Sequence, residues 1–242
     1  MKKVTSSKRL TFAGLALWVA IVGCGLLTTS VNDVRTESQS IDLESATSAN
    51  VQIEFAAGEL KVEGGANNLL DASFRYNVDD WKPEVAYREN GTQGTLRVSQ
   101  VGNDRLPVGG ELINEWSLQL GNHVPMELTI RTGAGNSELD LSGLDITSLS
   151  VETGAGVTNV NLGGDWQHDV DVSIQGGLGE LTVDLPAEMG VRVDMDTALV
   201  TVTATGLIKE ENGYVNQAFG TAPYTLTLKL EAGVGSVVLV AP

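Results

Sequence analysis

From Val51 onward, apolar and polar residues alternate with a period of two, the spacing of strands that bury one face. The alternation comes as pairs of runs joined by small residues. VQIEF meets ELKVEG across AAG, MELTIRT meets NSELDLSG across GAG, and LSVET meets VTNVNLGG across a second GAG. VDVSIQ meets ELTVDLP across GGLG, and LTLKLEA meets SVVLVA across GVG. One more unit, VRVDMD with TALVTVTATG, keeps both runs and lacks the glycines. Each unit predicts a strand, a tight bend and a second strand. Leu141, Leu162 and Leu185 close successive units in steps of 21 and 23 residues, followed by the connectors SGLDITS, GGDWQHD and PAEMG. Such self-similarity marks stacked units, each covering the apolar edge of its neighbour. LSGLDITSLSV has the leucine spacing of a leucine-rich repeat, but the supporting asparagine does not recur and no helical half accompanies it. The expected fold is all-β: a β-solenoid, a β-helix-like stack of short strands with an N-terminal β-meander, after a signal or anchor segment.

Two stretches break the repeat. NNLLDASFRYNVDDWKPEVAYRENGTQGTLRVSQV predicts a meander or hairpin beside the first unit. LIKEENGYVNQAFGTAP predicts a loop or small hairpin between the last two.

The N-terminus follows a different pattern. Basic and polar residues 1–10 lead into the apolar TFAGLALWVAIVG and then CGLLTTS, the order of a secretory signal. The only cysteine, Cys24, follows directly in IVGC, which resembles a bacterial lipobox. A small residue there admits the peptidase and the thiol carries the lipid. Leu10–Leu27, 18 residues without a charge, would also suffice for an uncleaved transmembrane helix. An ordinary signal peptide is the third possibility. All three place the remaining chain outside the cytoplasm, and one cysteine allows no internal disulfide. Residues 25–48, rich in Ser and Thr, are expected to tether the folded part. The division is then 1–24 signal peptide with lipobox, 25–48 flexible tether, 49–125 N-terminal β region and 126–242 repeat solenoid.

The chain has 242 residues, 28 of them glycine, and a net charge of −16. Lys2, Lys3, Lys8 and Arg9 all precede the first acid, Asp33, leaving 11 of the 15 basic residues to face 31 acids. That field disfavours nucleic acid and suits basic partners or simple solvation.

Paired glycines can cradle phosphate, but here no third glycine, helix or positive charge follows. Gly133–Gly135 is succeeded by Asn136, Ser137 and Glu138 and by a strand. The glycines at 58, 133, 135, 154, 156, 177, 179, 233 and 235 therefore read as structural bends: Gly58, Gly133, Gly135, Gly154, Gly156, Gly177, Gly179, Gly233 and Gly235. Glu59, Glu138 and Glu180 recur in GELKV, SELDL and GELTV, and stacked in register they would form an outward acidic row able to attract Ca2+. Asp165, His168, Asp169 and Asp171 form a weak metal-ligand cluster; His123 has no evident companion. No nucleophile motif or zinc-hydrolase motif occurs, and neither catalytic residues nor a cofactor are expected. A polysaccharide lyase or hydrolase on a β-helix would have to draw on Arg131, Arg192, Lys209 and Lys229, with Trp81, Trp116 and Trp166 for sugar stacking.

The stretch VQIEF–TLRVSQ resembles the toast-rack N-terminal domain family over roughly residues 45–130. The likeness rests on the AGEL bend, the GGA connector, LLDASFRYN, KPEVAYR and the closing TLRVSQ. The later units resemble adhesin-like bacterial β-solenoids. The resemblance implies a non-catalytic cell-envelope protein, with relatives among LiaF-type regulators of cell-wall stress. It thus implies a lipid-anchored, extracytoplasmic scaffold for binding, adhesion or envelope-stress sensing; a self-assembling surface protein is the further alternative. Expected partners are the membrane, reached through an N-terminal lipid or helix, and envelope proteins or glycans. The oligomeric state is left open.

Overall fold

The computed structural model describes residues 29–100, 107–164 and 166–242; Cys24, with the rest of the expected signal segment, and Asp165 lie outside the described residues. In chain order the strands begin with β1 (Thr29–Ile41), β2 (Ser48–Ala66), β3 (Leu70–Val78), β4 (Pro83–Asn90) and β5 (Gln93–Gln100). There follow β6 (Pro107–Val108), β7 (Asn114–Gly121), β8 (Met126–Asp140), β9 (Ile146–Asn161) and β10 (Val170–Asp184). The last are β11 (Gly190–Thr205), β12 (Ile208–Glu210), β13 (Gly213–Val215) and β14 (Thr225–Val240). A single 3-10 turn, Asp79–Trp81, interrupts this series.

Six long strands are the rungs: β2, β8, β9, β10, β14 and β11, stacked parallel in that spatial order. Each bends at its small residues into two limbs, so the stack has two layers around one apolar core. The alternation in sequence becomes ladders across rungs. Val51, Leu128, Leu149, Val172, Leu228 and Val193 are successive partners in the first layer. Val62, Leu139, Val160, Val183, Leu239 and Ala204 are their counterparts in the second. All but Ala204 are buried. Parallel rungs buried on the inner face only retain the in-out alternation, which is why the period of two was visible.

The N-terminal end widens. β5 and then β4 extend the first layer from β2, whereas β7, β3, β1 and β6 extend the second. The meander expected over residues 67–101 is therefore split between both layers. β2 belongs to the rungs as well as to this region, so no division of the core falls at residues 125–126.

Two expectations are corrected. Residues 25–48 are not tether throughout, because Thr29–Ile41 form β1, paired antiparallel with β3 from Val31↔Val78 to Ile41↔Leu70. Its Val and Thr residues have strand propensity, and without it β3 would present an open edge. The last two units also exchange places: β14, final in sequence, lies between β10 and β11. Consequently the unit without glycines, β11, is the terminal rung.

The glycines mark the corners. Gly58, Gly135, Gly156, Gly179 and Gly235 are successive partners, with φ between +126° and +139°. Gly133, Gly154, Gly177 and Gly233 lie two residues earlier, and a Cβ on Gly154 would come 2.1 Å from the Gly133 carbonyl oxygen. In β11 the corner position belongs to Val200, partner of Gly235. Val200 is not among the positive-φ residues, so the terminal rung turns by a different backbone path.

Candidate functional site

Every rung places a polar side chain just ahead of its corner on the outer face of the first layer. Glu54, Arg131, Glu152, Gln175, Glu231 and Asp196 are partners in succession across six rungs. Arg131 donates from Nε and a terminal nitrogen to Glu152 at 3.1 and 3.2 Å and lies 4.0 Å from Glu54, which Arg97 holds at 2.6 Å. Beyond Gln175 the row becomes acidic, with Glu231 beside Asp196. Together with the Thr, Gly and Ala residues of the corners, the row from Arg131 to Asp196 lines an open hollow of about 650 Å³. The hollow can hold a polar or cationic ligand against a flat, rigid floor. Its exposed ion pairs contribute little to stability because solvent screens them. The signal for this row was present in IEFAAG, IRTGAG, VETGAG, IQGGLG, LEAGVG and MDTALV, each polar at its second position.

The second layer carries a hollow of about 600 Å³ that includes Glu59, Lys61, Arg75, Glu115, Asn136 and Glu138. Here the expected acidic row fails to form. Glu59 and Glu180 share a ladder but are separated by Asn136 and Val157; Glu138 lies two ladders over, opposite Lys61 and Asn159. The corner glycine fixes the register. Glu59 and Glu180 directly follow Gly58 and Gly179, whereas Glu138 comes three residues after Gly135.

The metal-ligand cluster is also dispersed. His168 Nδ1 lies 3.0 Å from the Asp169 carbonyl oxygen and Nε2 lies 3.0 Å from Asp145 Oδ1. Both neighbours only accept, so the geometry selects the doubly protonated imidazolium. Asp169 Oδ1 instead accepts from the Thr225 backbone N–H at 2.8 Å, and Asp171 is exposed on β10. Among the described residues no three His, Cys, Asp or Glu side chains group to hold a metal ion. His168 thus joins two connectors: its edge meets buried Trp166, whose indole donates to Leu162 O at 2.9 Å.

The hydrogen bond to the Asp169 carbonyl, and secondarily the Asp145 carboxylate, raise the His168 pKa above its ordinary value against the lowering effect of desolvation. A raised folded-state pKa stabilises below the unfolded value, about 6.5, and that contribution disappears as pH rises through the folded value. Asp145→Asn should therefore lower the melting temperature more at pH 5.5 than at pH 8.5. The difference stays small because the two side chains are 37% and 39% exposed and solvent screens the pair. Melting curves at the two pH values test it; an equal loss at both is the contrary result.

Of the basic residues a lyase would use, Arg192 and Lys229 meet at Asp194, while Arg131 and Lys209 lie elsewhere. Arg131 is engaged in the first hollow, Arg192 pairs with Asp194 at 3.0 Å, Lys229 faces Asp194 across β11 and β14, and Lys209 lies on β12. Trp116 and Trp166 are buried, which removes them as sugar platforms, and Trp81 is half-buried. His123 is exposed in the turn between β7 and β8.

A family model, the N-terminal domain of toast_rack, DUF2154, matches residues 30–184. The fold is similar to the crystal structure of a candidate cell adhesion protein from Clostridium sporogenes. The two are 30% identical over 86% of this chain and 99% of that one, with a TM-score of 0.83. A candidate adhesin from Bacteroides fragilis is 11% identical over 87% of this chain and 99% of that one, with a TM-score of 0.36, too low to carry weight. No curated protein matches the chain.

Proposed function

The chain belongs to the toast-rack N-terminal domain family, and from that premise we propose that it is a binding and adhesion scaffold without catalytic activity, anchored outside the cytoplasm through Cys24. The observation that carries this reading is the likeness, at 30% identity and over nearly the full length of both chains, to a candidate cell adhesion protein. The rack with polar hollows on both outer faces supports it, since such faces offer extended contact area. Its ligands are envelope proteins or glycans, and envelope-stress sensing is one use of that binding.

Two experiments test the reading. Metabolic labelling with a fatty acid should mark the full wild-type chain and leave Cys24→Ala unlabelled; label in the variant, or in neither, overturns the lipid anchor. Cells lacking the protein should adhere several-fold less to surfaces coated with purified envelope glycan or protein, and the wild-type chain should restore them. Unchanged adherence on every such surface overturns the scaffold.

A further inference from the structure

At the C-terminal end of the stack the two layers stop unevenly. The first layer continues past β11 into β13 and β12, through Arg192↔Val215 to Asp194↔Gly213 and on to Ile208–Glu210. The second layer stops at β11, whose residues Leu199–Thr205 pair with β14 on one side only. The bond from Ala241 N to Thr205 O, 2.9 Å, fixes which way this backbone faces. Peptide groups of successive residues point to opposite sides of a strand. Thr201, Thr203 and Thr205 therefore face β14, while the N–H and C=O groups of Val200, Val202 and Ala204 face outward, where no strand among the described residues receives them.

The side chains repeat the message. Val202 ends the ladder that runs through Leu181 and Val237, and Ala204 ends the one through Val183 and Leu239. The inner rungs are buried at these two positions, whereas Val202 and Ala204 are only partly so. The core is one strand short here. Nor is the edge guarded: no ionisable side chain lies between Asp196 and Lys209, and Leu199 is 75% exposed. At the other end of the molecule β4 carries Pro83, Glu84, Arg88 and Glu89, the usual protection of an edge.

We propose that the open second limb of β11 takes up one extended segment of another protein by strand addition. A second copy of this chain does not fit the place. Pairing two such edges about a two-fold axis puts both first layers on the same side, where the β13–β12 extension of each copy would occupy the position of the other's β11. The gap instead suits one or two strands, the number by which the first layer outruns the second. Its occupant presents alternate small or medium apolar side chains to Val200, Val202 and Ala204. Its flanks are basic, because the chain carries a net charge of −16 and the stretch around the open limb, residues 196–211, holds Asp196, Glu210 and Glu211 against Lys209 alone.

This deepens the scaffold reading and rests on it only in taking the protein to work by binding. The probe is a synthetic peptide, KTVTVTVK, added to the full chain in detergent micelles, with amide hydrogen exchange followed by NMR. Exchange at Val200, Val202 and Ala204 should slow at least tenfold at saturating peptide, with the amides of Thr201, Thr203 and Thr205 already slow. Val202→Pro removes an outward N–H that β14 does not use and should weaken peptide binding at least tenfold. An acidic peptide, KTETETEK, should bind at least tenfold more weakly.

If Val202→Pro fails to fold, the three amides of the wild type decide alone. Unprotected amides at saturating peptide overturn the proposal, as does undiminished binding by a folded Val202→Pro. Protection already present without peptide, together with a dimer in sedimentation, assigns the edge to a second copy and overturns it too. Failure of the peptide with adherence retained removes this inference and leaves the scaffold standing; lost adherence with peptide uptake intact does the reverse.

Discussion

Gly156→Ala is expected to destabilise the protein by about 3–5 kcal/mol, the combined size of left-handed backbone strain and a hard overlap with the neighbouring rung's backbone. Gly156 has φ +138°, and a Cβ built on it would come 1.8 Å from the Gly135 carbonyl oxygen. Its partners on both sides, Gly135 and Gly179, are held in the same conformation, so relief at one rung transmits the overlap to the next. Gly176→Ala is the internal comparison. It lies three residues before the corner of the neighbouring rung, has no positive φ, and its new Cβ would meet nothing closer than 3.8 Å. That substitution should stay within about 1 kcal/mol of wild type. Urea denaturation measures both, and equal midpoints for the two variants would remove the special role of the corner ladder.

Trp116→Ala should cost about 3–5 kcal/mol, the range for deleting a large buried aromatic. Trp116 is 2% exposed and stands where β7 and β3 join the first rung. It meets Phe55 and Phe74 edge-on, with ring centroids 5.1 and 5.2 Å apart. Its indole N–H donates to Asn114 Oδ1 at 3.1 Å, and Asn114 in turn donates to the Ala57 carbonyl at 2.6 Å, next to the corner glycine of β2. The side chain thus joins the widened end to the rack by packing and by a hydrogen-bonded chain. For a chain of 242 residues the loss corresponds to roughly 6–20 °C in melting temperature. Trp116→Phe keeps most of the volume, leaves Asn114 Oδ1 without its donor, and should lose about half as much. A Phe variant as damaged as the Ala variant would show that the hydrogen bond, not the packing, holds this junction.

The rungs were legible because each residue obeys a local rule. Val51, Ile53 and Phe55 alternate with polar partners, and a corner glycine appears wherever one backbone crowds another. Local rules do not carry the order of rungs, and the exchange of β11 and β14 has no trace in either strand alone. Missing glycines in TALVT were the nearest hint, since a terminal rung bears no neighbour on its outer side. β1 was hidden by its composition: TSVNDVRTESQSI is polar on most positions because its partner β3 needs hydrogen bonds more than burial from it. On the outer faces, residue type was readable and register was not. Glu59, Glu138 and Glu180 looked equivalent by motif, yet ladder position is counted from the glycine. The row from Glu54 to Asp196 could have been found by that count. Buried asparagines such as Asn216, which bonds Val191 N and Met189 O at 2.9 and 2.7 Å, carry no periodic signal because they serve loops.

The interleaving of β14 between β10 and β11 bears on how the protein is made. A simple rack can be completed rung by rung as the chain leaves the ribosome, each new strand finding a finished neighbour. Here β11 emerges before the strand that separates it from β10, so it has no permanent place to settle until residues 225–240 have been synthesised. The contacts joining β14 to β10 span a long stretch of chain, and their closure is the slow kind. The segment from β11 to β14 is therefore obliged to fold after synthesis has delivered the final strand, with the rungs up to β10 already standing as its template.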